Sequence, residues 1–192
     1  MELPRRIEAT GFECVVSCVT MISMYWRKEV SRLGWNMPED SNAPEWDEFY
    51  KRGCKFISPM SGVALRKIDG YLKSIQLPLT LKLAPLHGVY VLEKLTKCNI
   101  PPIVLFDFYY YHKGIVKNPF HAAVVMEVTA ENILTVDPSF INKDRTAYYR
   151  REFEKAWNIA ENHAIVIYPK VYRLRGIGRT ARPLEAYAGV SS

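Results

Sequence analysis

The sequence predicts an α+β fold, with helices in the first half of the chain and antiparallel strands in the second. Two observations lead to this prediction. Apolar residues recur at helical spacing in several early segments, whereas short runs rich in β-branched residues dominate after residue 100. Helices and strands do not alternate along the chain as they do in repeated βαβ units. We therefore expect a helical first part packed on an antiparallel sheet.

The first half begins with a helix over residues 14 to about 28, where nothing breaks helix and Gly11 marks the entry. A short helix is expected around residues 46–52, inside a stretch rich in tryptophan, proline and acidic residues. Residues 61–74 follow with a helical apolar face, and Ser61 is a suitable N-cap. A short strand at 78–83 and a helix over 90–95, ending near residue 98, complete this half.

The second half begins with a buried strand at 102–108. Two apolar runs, 120–128 and 133–138, flank a polar break of hairpin length and so predict paired antiparallel strands. A helix over 150–158 and a last strand at 163–168 follow. From residue 170 the apolar periodicity ends, which indicates a tail or an extension wrapped on the domain.

Cys14 is the first candidate for chemistry, because it lies in the first turn of the predicted helix. The positive end of the helix dipole favours a thiolate there, and a thiolate is a nucleophile. The alternative is a small buried hydrophobe, since cysteine is among the most buried residue types. Cys18, one helical turn further on, is expected in the core.

His121 and Asp137 form the second candidate group. His121 opens one strand of the predicted hairpin and Asp137 closes the other, just before Pro138. The two residues therefore lie near the same end of the ladder. There a carboxylate can hold an imidazole in one tautomer, and the imidazole can act as a base. A histidine at a strand start can also be purely structural, but with Cys14 the pattern is that of a cysteine nucleophile system.

Length, charge and composition limit the classes of function. The 192 residues suit one domain, and 26 Lys plus Arg against 20 Asp plus Glu give a net charge of +6. Because the basic residues are scattered, no nucleic-acid partner is expected, although a basic binding module stays open as an alternative. The four cysteines lack the spacing of a metal site. The sequence shows no signal peptide and no membrane span, so we expect a cytoplasmic protein.

Residues 13–26, ECVVSCVTMISMYW, resemble a motif of the double-glycine, or bacteriocin-leader, peptidases. This is cysteine peptidase family thirty-nine, in the papain-like superfamily. In that family Asp-Cys-Gly-x-Ala opens the central helix, which often continues Leu-Ala-Met-Ile-x-x-Tyr-Tyr-Gly. His121 and Asp137-Pro138 match the later histidine and the third member. Residues 97–104 (KCNIPPIV) and 153–157 (FEKAW) also resemble family segments.

The resemblance implies a papain-like peptidase domain over residues 1–168, followed by a tail or extension over 169–192. It implies a cysteine peptidase or amide hydrolase that acts on a peptide or protein without a cofactor or metal. Cys14 would be the nucleophile, His121 the base and Asp137 its orienting partner.

Two positions depart from the family pattern: Val15 replaces the glycine after the nucleophile, and Glu8 replaces the glutamine of the oxyanion hole. A carboxylate cannot donate a hydrogen bond to an oxyanion. A degenerate relative that binds peptides, and an acyltransferase on the same fold, therefore stay open. The sequence leaves the oligomeric state and the substrate's identity undetermined.

Overall fold

The computed structural model of the chain describes residues 3, 13–32, 51, 53, 65–75, 77–116, 120–139, 145–170, 172–173 and 189–190. Its helices are α1 (Cys14–Arg32), α2 (Leu65–Ser74), α3 (Val89–Lys97), α4 (Phe108–Lys113) and α5 (Arg150–Ile159). Its strands are β1 (Leu79–Pro85), β2 (Pro102–Asp107), β3 (Phe120–Val128), β4 (Asn132–Val136), β5 (Thr146–Tyr149), β6 (His163–Pro169), β7 (Tyr172–Arg173) and β8 (Gly189–Val190).

Six of the strands form one sheet in the order β1-β6-β2-β3-β4-β5, and every neighbouring pair is antiparallel. Strands β3 and β4 form the predicted hairpin, with Val124 opposite Val136. Asp137 follows β4 directly, so the chain leaves this strand beside the beginning of β3. On the other side of β3, His121 lies opposite Phe106 of β2. The α+β architecture predicted from the sequence is confirmed.

The core lies between the sheet and its helices. Strand β3 is buried at four successive residues, 122–125, which requires cover on both of its faces. Helices α1 and α3 pack against β3, and α5 packs against β2. The indole of Trp26 donates a hydrogen bond of 2.7 Å to the carbonyl oxygen of Ile167, and this bond ties α1 to β6. Helix α1 is thereby fixed against the sheet.

Among the described residues, helix α4, strand β5 and the two short strands β7 and β8 were not predicted from the sequence. The predicted strand at 102–108 ends at Asp107, whose side chain accepts a hydrogen bond of 2.8 Å from the Tyr110 backbone and caps helix α4. Gly114 ends this helix in the left-handed conformation, with φ of 66°. Strand β5 was not predicted either, because four residues at a sheet edge carry little periodicity.

The structure describes only part of the chain before residue 65 and after residue 170. The predicted helix around 46–52 lies almost entirely outside the described residues, and so does the Ser61 cap. Strand β6 ends at Pro169, and Tyr172, which begins a short pairing with β8, packs its ring edge-on against Trp26 at 5.7 Å. The division into a 1–168 domain and a 169–192 tail stays a prediction.

Replacing Trp26 by phenylalanine should lower the free energy of unfolding by about 1–3 kcal/mol. The variant removes the only donor of the indole and leaves the buried carbonyl of Ile167 without its hydrogen bond. Urea unfolding followed by circular dichroism measures this loss. The matched control is Tyr149→Phe on an exposed side chain, which should change stability by less than about 0.5 kcal/mol. Equal stability of the two variants would contradict the prediction.

Candidate active site

Cys14 is the first residue of α1, and 7% of its surface is exposed. The first backbone hydrogen bond of the helix runs from the Ser17 N–H to the Glu13 carbonyl oxygen, at 2.9 Å. The Cys14 N–H therefore precedes the helical ladder, at the positive end of the helix dipole. Val15 lies in the same first turn with ordinary helical backbone, so this position does not need the glycine found in the family motif.

His121 connects Cys14 to Asp137. Its Nε2 lies 2.8 Å from Oδ1 of Asp137, and the Cys14 side chain is close enough to act on the same imidazole. Because Nε2 faces the carboxylate, Nδ1 is the ring nitrogen left for the sulfur. The structure thus brings the three residues singled out from the sequence close together.

Asp137 is completely buried. Burial opposes its charge, but a hydrogen bond and charge from His121, a hydrogen bond from the Tyr148 hydroxyl and another from the Ser139 N–H outweigh it and lower the pKa of this carboxyl. The Ser139 N–H donates to Oδ1 at 2.7 Å, and the Tyr148 hydroxyl donates to Oδ2. The carboxylate is therefore charged at neutral pH and held from both oxygens.

The charge state of His121 follows from its neighbours. Burial alone would lower the pKa of its imidazole, but the hydrogen bonds and charges of Asp137 and Cys14 raise it to about 10. His121 is therefore cationic at neutral pH, held between the Asp137 carboxylate and the Cys14 side chain.

Aromatic side chains surround the imidazole, with the rings of Phe108 and Phe106 lying edge-on to it at 5.2 and 5.7 Å. His112 of α4 packs on Phe108 at 4.2 Å. Burial lowers the pKa of His112, while the charge of Asp137 raises it. The His112 side chain is exposed on this helix beside the site.

Tyr148 is the site residue that sequence reasoning missed. In the run TAYY, buried Tyr148 lies between the exposed residues Ala147 and Tyr149. Such alternation is typical of a strand, but the run has only four residues. The Tyr148 hydroxyl reaches Asp137 because β5 pairs with β4. No local sequence pattern reveals this pairing.

Other residues singled out from the sequence lie only in part within the described residues. Glu8, the predicted oxyanion-hole position, and Cys54 lie outside the described residues. Cys14, Cys18 and Cys98 are thiols, and Cys18 is buried as expected. In the part of the chain that the structure describes, no three His, Cys, Asp or Glu side chains are grouped as metal ligands would be. None of the described helices has the length and apolar character needed to cross a bilayer.

The raised pKa of His121 predicts how stability depends on pH. The folded state holds this proton up to about pH 10, whereas the unfolded chain releases it near the ordinary value of 6.5. The stabilisation is complete below pH 6.5 and is lost as the pH rises to about 10, so the free energy of unfolding should fall across that window. Urea unfolding at intervals between pH 6 and 10 measures the slope. His121→Gln should show a flatter profile; equal slopes would contradict the assignment.

No family model and no curated protein matches the sequence. Solved structures of other proteins do resemble its fold. A double-glycine motif protease from an AMS/PCAT transporter, solved with its leader peptide, is 13% identical with a TM-score of 0.57, over 88% of this chain and 93% of that one.

The peptidase domain of Streptococcus ComA, a bifunctional ABC transporter of a quorum-sensing pathway, is 13% identical with a TM-score of 0.54, over 86% and 98% of the two chains. A Bacillus anthracis protein described as a peptidase similar to family thirty-nine is 12% identical with a TM-score of 0.59, over 88% and 99%. The helices packed on a six-stranded antiparallel sheet thus have the papain-like fold of the double-glycine cysteine peptidases.

Proposed function

We propose that this protein is a cysteine peptidase or amide hydrolase with Cys14 as nucleophile, His121 as base and Asp137 as the residue that orients His121. The observation that carries the proposal is the hydrogen bond of 2.8 Å between His121 and buried Asp137, with the Cys14 side chain at the start of α1 acting on the same imidazole. The fold it shares with double-glycine peptidases supports the same conclusion.

The proposed reaction has two steps. The Cys14 thiolate attacks the carbonyl carbon of the substrate and forms a carbon–sulfur bond. The carbon–nitrogen bond then breaks as His121 gives its proton to the leaving amine. In the second step neutral His121 takes a proton from water, which attacks the thioester, and Cys14 leaves as thiolate. Asp137 keeps the imidazole in the required tautomer throughout.

The oxyanion formed in both steps needs hydrogen-bond donors. The Cys14 N–H is the donor that the described residues offer, because it precedes the helical ladder at the positive end of α1. Glu8 occupies the position of the family's glutamine in the sequence. Its carboxylate would oppose the developing negative charge.

The proposed substrate is a peptide or protein. One structural neighbour is solved in complex with a leader peptide, and this supports a peptide substrate here. A peptide library analysed by mass spectrometry tests the proposal, because cleavage by the wild type that disappears in Cys14→Ala identifies both the activity and the bond that is cut. The cytoplasmic location and the absence of a nucleic-acid partner stay predictions.

A second candidate is a degenerate relative that binds peptides without cleaving them, and Glu8 is the residue that favours it. Peptides retained by the wild type and by Cys14→Ala alike, with no cleavage by either, would support this alternative.

Replacing Glu8 by glutamine should raise turnover by about 10-fold or more, since the variant exchanges a repelling charge for a donor. Single-turnover cleavage of a library-derived peptide measures the change. The matched control is Glu29→Gln at the exposed end of α1, which should leave turnover unchanged. Unchanged turnover in Glu8→Gln would show that Glu8 does not face the oxyanion.

A further inference from the structure

We propose that Tyr148 is a positioning residue of the active site, acting through Asp137 rather than on the substrate. Its side chain is almost completely buried on β5, and its hydroxyl donates a hydrogen bond to Oδ2 of Asp137. This inference rests on the proposed function, since it assigns Tyr148 to the same triad.

The two oxygens of Asp137 have different tasks. Oδ1 accepts from His121 Nε2 at 2.8 Å and from the Ser139 N–H at 2.7 Å. Oδ2 points away from the imidazole and accepts from Tyr148. A carboxylate bonded through one oxygen alone can rotate about its Cβ–Cγ bond. The Tyr148 contact fixes this rotation and keeps Oδ1 directed at His121.

The ring of Tyr148 is itself held in place. Tyr111, Phe106 and Phe153 pack around it with centroid distances of 4.8, 5.2 and 5.9 Å. The Tyr111 hydroxyl also accepts a hydrogen bond of 3.0 Å from the Tyr149 backbone, which fastens α4 to β5 beside Tyr148. The phenol therefore has a single orientation, as a positioning residue requires.

Tyr148 also supports the charge of Asp137. Asp137 interacts electrostatically with His121 of β3 and with His112 of α4. Cys14 of α1 acts in turn on His121. The Tyr148 hydrogen bond lowers the pKa of Asp137, and burial raises it. Without the hydroxyl, Asp137 should take up its proton at a higher pH. His121 would then lose the anion that keeps it cationic.

The test compares Tyr148→Phe with Tyr149→Phe, its exposed neighbour, by the rate at which iodoacetamide alkylates Cys14 between pH 4 and 9. Peptide mapping separates this reaction from alkylation of the other cysteines. A hydrogen bond to a charged group corresponds to roughly a tenfold or larger change in an equilibrium. Tyr148→Phe should therefore slow alkylation at pH 5 by about 10-fold and shift the acid limb of the profile to higher pH. Tyr149→Phe should match the wild type.

A double-mutant cycle shows whether the effect passes through Asp137. In an Asp137→Asn background, Tyr148→Phe should add little to the loss; full additivity would overturn the proposal. If Tyr148→Phe does not unfold cooperatively, 3-fluorotyrosine inserted at position 148 keeps the hydroxyl as a stronger donor. It should shift the acid limb to lower pH, and an unchanged limb would overturn the proposal.

The experiments distinguish a failure of the role proposed for Tyr148 from a failure of the proposed function. An acid limb in Tyr148→Phe identical to that of the wild type, with peptide cleavage by the wild type intact, would overturn the role of Tyr148 alone. Cys14 alkylation in the wild type no faster than that of Cys98 at pH 5 would overturn the proposed function together with this inference.

Discussion

Replacing Cys14 by alanine is expected to reduce peptide hydrolysis by about 10,000-fold or more, to the level of the uncatalysed reaction plus any contribution from binding. The reason is that in the proposed mechanism the sulfur forms the covalent bond of the first step, and alanine offers no atom that can replace it. His121 and Asp137 stay in place but have no nucleophile to activate.

Single-turnover cleavage measured by mass spectrometry is suited to this comparison, because it detects slow residual reaction. Cys98→Ser is the matched control: Cys98 follows the end of α3, is partly exposed and has no part in the proposed mechanism. Cleavage by Cys14→Ala at the rate of the Cys98→Ser control would remove Cys14 from the mechanism.

Replacing Asp137 by asparagine should lower kcat by about 100- to 10,000-fold while KM changes little. The amide has no charge to support cationic His121, and its NH2 group cannot accept the hydrogen bond that Oδ2 accepts from the Tyr148 hydroxyl. Since the pKa of His121 is raised by Asp137, the imidazolium should also lose its proton at a lower pH in this variant.

Steady-state kinetics measure the loss of kcat, and an NMR titration of the His121 ring measures the change in its pKa. Asp69→Asn is the matched control, because Asp69 is an exposed carboxylate of α2 paired with Lys73. Near-wild-type kcat in Asp137→Asn would show that the His121–Asp137 contact is structural and not catalytic.

The Asp137→Asn test depends on the contact between His121 and Asp137, and this contact could be predicted from the sequence. His121 and Asp137 lie on two strands joined by a short turn, and the length of such a turn sets the register of a hairpin. The structure has that hairpin, and the two side chains meet at 2.8 Å. Cys14 was a different case. Local pattern placed it at the start of a helix, and the residue types and the likeness to family motifs linked it to His121, but no local pattern predicted that the two would lie together.

The missed elements share a physical cause. Helix α4 exists because Asp107 turns the chain out of β2 and caps the helix; in sequence the apolar run continues through Phe108. Strand β5 is stabilised by pairing with β4 and not by its own composition. Local patterns do not describe either effect.

Periodicity and turn residues, read from the sequence alone, determined the α+β class, most helices and strands, and the pairing of His121 with Asp137. Only the tertiary structure placed the start of α1 against β3 and the Tyr148 hydroxyl on Asp137. The reason is the separation along the chain over which each kind of interaction acts. Turns and apolar spacing act between residues close in the chain, whereas those contacts depend on how α1 packs on the sheet and on which strand lies next to β4.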